Sequence, residues 1–230
     1  MVTVNFWLTG TSALFVVIFG VIVGLIALIK SIKTKQKLLR NFGFMAILMG
    51  LLLLGPATDF WFVLLTGNNI DYYLYCVLSY MWVAPGIVFI MWIGGELIAK
   101  KAKWYLVGIY TVIGIIFEYF LFFQHSGSFK PFVDPLGEDI IDASFNTASL
   151  TFIIIAVFIV SVLLFDGVGA LRKAIQLTGE LRKKFIYLTI GFFLFCIAAV
   201  MDALLEPGII LFLARFGFIA DNVFLYIGIK

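Results

Sequence analysis

Five ionisable residues stand where the sequence is otherwise apolar. They are Asp59 in "LLLLGPATDFWF", Glu118 in "IIFEYF", Asp202 and Glu206 in "MDALLEPG", and Arg215 in "LARFGF". An ionisable group in hydrocarbon costs roughly 2.5–3.5 kcal/mol on insertion scales, so each needs a partner or a task. Arg215 is the cation of the set. A guanidinium pairs with a carboxylate through parallel, charge-assisted hydrogen bonds, which offsets its burial. Asp202 and Glu206 precede it across a turn, and Asp59 is the next candidate partner. The chemistry on offer is a buried ion pair or the binding of a small polar ligand. Arg215 is also shallow enough to snorkel towards water.

A second pair, Asp221 and Asn222 in "IADNVF", lies deeper. It reads as a proton or cation site, or as a buried acid hydrogen-bonded to Ser161 or Thr189. Glu96 and Asp166 fall near the ends of apolar runs and read as interfacial acids beside lysines. Catalysis finds little support. Cys76 falls at the end of one apolar run and Cys196 inside another, which argues against a disulfide and a sulfur metal site. The single histidine, His125, cannot hold the metals of histidine-rich membrane enzymes. "HSGS" at 125–128 lies between runs without a positioned partner. The sequence therefore points away from an enzyme, with no cofactor, no metal and no nucleic acid partner.

The elements that position these residues follow from composition. Of 230 residues, 63% are hydrophobic and 13% charged, and the mean hydropathy is +1.15. A soluble core of this size cannot hide so much apolar surface, so the partner is the lipid bilayer. The start, "MVTVNFWLTG", has neither a basic leader nor a small-residue cleavage site, so the first apolar run is expected to be retained. Seven runs can be marked: Trp7–Ile29, Phe42–Leu65, Tyr73–Ile98, Trp104–Phe123, Ala148–Leu171, Phe185–Leu205 and Ile209–Ile229. Each is near the ~20 residues a helix needs to cross hydrocarbon. Continuous rather than alternating apolarity favours helices over a barrel. The expected fold is all-α: a single seven-helix transmembrane domain over residues 1–230, multi-pass in the cell membrane.

Charge sets the expected orientation. Thirteen basic residues lie in the first, third and fifth loops: Lys30, Lys33, Lys35, Lys37, Arg40, Lys100, Lys101, Lys103, Arg172, Lys173, Arg182, Lys183 and Lys184. The opposite loops hold Lys130 and the acids Asp71, Asp134, Glu138, Asp139, Asp142 and Glu206. The positive-inside rule then places the N-terminus outside and the C-terminus inside. At about 1.5 Å of rise per residue, the five groups above fall in one layer roughly 5–10 Å below the outer hydrocarbon edge. Pro56 and Pro85 are expected to kink the second and third helices, the former near Gly55. Two kinked neighbours and a carboxylate suggest a polar pocket open to the outside. The loop from Gln124 to Thr147 could fold over that mouth, but reads better as a solvated connector. Gly20 and Gly24 have the GxxxG spacing that permits close helix contact.

The basic first loop followed by "FGFMAILMGLLLLGPATDF" and "YLYCVLSYMWVAPGIVFIMW" resembles the seven-helix N-terminal sensor region of prokaryotic histidine kinases, over about the first hundred residues. That resemblance implies a sensor module acting by helix displacement through a partner. A retinal-binding rhodopsin is excluded, because the seventh helix carries Arg215 rather than a mid-span lysine. The motifs of G-protein-coupled receptors are also missing. The expectation is a sensor- or receptor-like protein with an outward-facing pocket, a small-molecule ligand from outside and a cytoplasmic or membrane signalling partner. A small proton- or cation-coupled transporter using Asp59 and Asp221, and a structural subunit of a larger membrane complex, are the alternatives.

Overall fold

A computed structural model describes residues 2–130 and 137–230. Its seven long apolar helices are α1 (Val4–Thr34), α2 (Lys37–Thr66), α3 (Tyr72–Leu97), α4 (Lys103–Phe123), α5 (Leu150–Gln176), α6 (Gly179–Leu204) and α7 (Ile209–Ile229). All seven are long and apolar enough to cross a membrane, and among the described residues there is no β-strand. The helices start one to six residues earlier than hydropathy places them in most cases, because charged residues such as Lys37, Lys103 and Glu180 extend the first turns. α5 instead starts two residues later, after Ser149 caps it by accepting from the Phe152 amide.

The connections alternate between two ends. One carries the basic loops, and the other carries Asp71, Glu138, Asp139, Asp142 and Glu206; Asp134 lies outside the described residues. Each helix packs on the next, and α7 closes the ring against α1. α5 also touches α3 directly, which leaves α4 on the outside. Accordingly 17% of the apolar stretch of α4 is buried, against 50% for α2 and α3. Its Ile109, Val112, Ile115 and Phe123 are exposed.

Three helices depart from regularity, each for a local reason. Pro56 lacks an amide hydrogen and crowds the carbonyl four residues back. The distortion therefore appears at Leu51–Leu53, a 3₁₀ turn between α-helical Lys37–Gly50 and Leu54–Thr66. Pro85 acts likewise on α3, which breaks at Met81 and Trp82 between Tyr72–Tyr80 and Val83–Leu97. In α5 a π-helical turn, Val162–Gly167, carries Asp166. It corrects the expectation of an interfacial Asp166, since the side chain is wholly buried against Gly94 of α3 with no hydrogen-bond donor among the described residues. The π turn widens the helix by a residue and swings this position inward. Glu96, by contrast, pairs with lysines as expected, 2.7 Å from Lys103 and 3.5 Å from Lys100.

The small-residue stripe of α1 meets α2. A Cβ on Gly20 would collide with the backbone of Gly50, and one on Gly24 with the Gly43 carbonyl and the Ile47 side chain. Backbones this close leave no room for side chains. Gly20→Leu should force α1 and α2 apart and destabilise the protein by about 1–3 kcal/mol. A melting temperature in detergent equal to wild type would reject this packing.

Candidate functional site

The acidic end holds a cavity of about 150 Å³ enclosed by α1, α2, α3, α5, α6 and α7. The two proline distortions open it: Leu52, Leu53 and Pro56 line it from α2, and Tyr80 and Val83 from α3. Phe158, Phe195 and Phe218 form apolar wall on α5, α6 and α7. On α7 the buried positions Leu211, Ala214, Arg215, Phe218, Asp221, Asn222 and Leu225 recur at helical spacing, so one face brings Arg215 to the cavity.

Arg215 is only 4% exposed. Its Nε donates to Asp202 Oδ1 at 2.8 Å, and its Nη1 donates to the Thr9 carbonyl at 2.8 Å and to Ser12 Oγ at 3.2 Å. One side chain thus ties α7 to α6 and α1. The short link Leu205–Gly208 makes the Asp202 contact natural, because it holds the ends of α6 and α7 together. Glu206 lies past the end of α6, exposed at the cavity rim, and does not share the ion pair.

Asp59 corrects the sequence reading: it does not line the cavity. It is completely buried one turn beyond Pro56, and its carboxylate accepts from Asn69 Nδ2 at 2.8 Å, the Ile70 amide at 2.9 Å and the Ile141 amide at 3.0 Å. The 137–149 segment is consequently no solvated connector. Ile140, Ile141, Ala143 and Phe145 are buried, and residues 141–145 roof the cavity. The roof is fixed elsewhere too. The Thr3 hydroxyl donates to Asp139, the Gly137 amide to Asn69 Oδ1, and the Tyr80 hydroxyl to the Ala143 carbonyl. An antiparallel bridge pairs Phe129 with Phe145. His125 and Ser128 bound a short helical turn beside that bridge rather than an open loop.

Glu118 is also absent from the cavity, because the α3–α5 contact shuts α4 out. Its carboxylate oxygens are enclosed and accept no hydrogen bond from the described residues. Asp221 and Asn222 lie further towards the basic end, about six residues or roughly 9 Å beyond Arg215. Both are buried; Asp221 Oδ1 and Asn222 Oδ1 have no donor among the described residues, while Asn222 Nδ2 donates to the Phe218 carbonyl. Ser161 and Thr189 are not their partners, since each hydroxyl donates to its own helix, at Val157 and Phe185. Cys76 and Cys196 are buried free thiols.

Sequence reasoning missed Asn69, which satisfies both its amide hydrogens and its oxygen in the Asp59 cluster, and the roof itself. The available signal was the apolar content of "IIDASF" in an otherwise polar connection. No protein-family model matches the chain, and neither does any curated protein. Fold and site together define a seven-helix protein with a roofed, aromatic-walled cavity at its acidic end and an arginine–aspartate pair in the cavity wall.

Asp59→Ala would strand the Ile70 and Ile141 amides and the Asn69 side chain in an apolar setting. A loss of about 3–5 kcal/mol is expected, with faster hydrogen exchange concentrated at 137–145. Unchanged exchange there would refute the clamp.

Proposed function

We propose that the chain is a sensor- or receptor-like protein of the cell membrane that binds a small molecule in the roofed cavity. The acidic end faces outside and the basic end faces the cytoplasm. The observation that carries this reading is the cavity itself. It is largely apolar and pre-formed, with a few convergent polar groups, as small-molecule sites are. A device that only locked helices would have no need of the roof that Asp59 holds over the cavity. The basic loops supply the inner contact, either with anionic lipid or with a cytoplasmic signalling partner. Occupancy would be passed on as displacement of α6 and α7, the helices that Arg215 couples.

Two measurements test this. In the first, Ser126→Cys and Lys33→Cys are labelled with a membrane-impermeant maleimide; the native thiols are buried and stay silent. Labelling of Ser126→Cys on intact cells, and of Lys33→Cys only after lysis, is expected, whereas the reverse pattern inverts the orientation. The second is a thermal-shift screen of purified protein against metabolites, ions and lipids. Ala199 lines the cavity, so Ala199→Leu fills part of it. A true ligand well above its Kd should raise the melting temperature of wild type by about 5 °C and that of Ala199→Leu much less. If no compound separates the two proteins, the cavity is structural.

A further inference from the structure

The Arg215–Asp202 pair is only half used, and its free half specifies a ligand. A guanidinium has five N–H donors. Nε is taken by Asp202, and the two hydrogens of Nη1 serve Thr9 and Ser12. Nη2 donates to no described residue, although Arg215 is 4% exposed and lines the cavity. Arg215 lines the cavity, so these N–H groups are donors open to a bound acceptor. Asp202 is likewise half engaged: Oδ1 receives Arg215, whereas Oδ2 accepts from no described residue and the side chain keeps 25% exposure. Glu206 adds a further carboxylate at the rim, with no ion-pair partner among the described residues. A vacant cationic donor edge therefore stands beside vacant carboxylate oxygens.

From this juxtaposition we infer that the cavity takes an apolar zwitterion, an α-amino acid with an aromatic or branched aliphatic side chain. The inference rests on the cavity being a ligand site. The ligand carboxylate accepts from Arg215 Nη2, in the charge-assisted geometry that guanidinium favours. The ammonium, one carbon away, meets Asp202 Oδ2 and Glu206. A simple anion would meet the guanidinium but also the carboxylates of Asp142, Asp202 and Glu206 that line the cavity, and a simple amine would leave Nη2 unpaired. Only a molecule carrying both charges on neighbouring atoms satisfies both sets. The side chain is then directed towards Phe158, Phe195 and Phe218, where a second charge would find no partner. Size agrees: an apolar cavity of about 150 Å³ accepts a body as large as benzene.

The test is calorimetric binding to the purified full chain in detergent. L-Phenylalanine and L-leucine are compared with 3-phenylpropionate, which lacks the amine, 2-phenylethylamine, which lacks the carboxylate, and glycine, which lacks the side chain. The two full amino acids should bind at least tenfold more tightly than any truncated analogue. Glu206→Gln, a rim change, should weaken L-phenylalanine several-fold, whereas 3-phenylpropionate, freed from one like charge, should bind no more weakly than to wild type. Equal binding of 2-phenylethylamine would make this an organic-cation site and overturn the role given to Arg215. Equal binding of 3-phenylpropionate would overturn the role given to the carboxylates. If no amino acid binds while another compound stabilises wild type but not Ala199→Leu, the ligand class is wrong and the cavity reading stands. If nothing separates those two proteins, both fall.

Discussion

Asp59 is the constraint on which the acidic end depends. A carboxylate has room for several donors and none of its own to place. Here it gathers two backbone amides and one side-chain amide from segments far apart in the chain. The geometry needs α2 to stop soon after it. Gly67 supplies the stop with a left-handed backbone, φ 74°, and the chain doubles back so that Asn69 and Ile70 face the carboxylate. Once Asp59 is saturated, Ile141 has a fixed position and the roof follows. A charge in an apolar segment is thus explained by the connection it organises.

The Arg215 pair does for the bundle what Asp59 does for the roof. Three helices meet at one guanidinium: α7 supplies it, α6 contributes one acceptor and α1 contributes two. The remaining apolar contacts are broad and tolerant of sliding, since burial of apolar surface carries no direction. Directional hydrogen bonds fix the register that packing alone leaves loose. The close glycine contacts of α1 and α2 perform the same task on the other side of α1.

The seven helices were legible because hydropathy is a property of continuous segments, and the segments here are long. The helix distortions were legible because proline acts on its own helix, though the 3₁₀ turn lies a few residues before Gly55, where the strain on the preceding carbonyl falls. The proximity of Arg215 and Asp202 was legible because a short link joins their helices. What escaped was everything that depends on partners distant in sequence. Asp59 and Ile141 are separated by 82 positions, and nothing local announces their bond. Asp166 looked interfacial because position along an ideal helix was the only guide, and a π turn breaks that count. Glu118 looked equivalent to the others by depth alone; depth says nothing about azimuth, and α4 stands outside the ring.

The π turn of α5 also sets the phase of that helix. One additional residue in a turn rotates everything beyond it by about 100° relative to a regular helix. Before the turn, Phe158 addresses the cavity; within it, Asp166 packs against Gly94 of α3, and beyond it Gly169 meets Ile98 just past the end of that helix. α5 therefore presents two faces that no single amphipathic stripe could supply, one to the chamber and one to its neighbour. It behaves as two helices joined by a torsional offset, and deleting a single residue from 162–167 would cancel that offset, turning the second half of α5 away from its neighbour with the first half undisturbed.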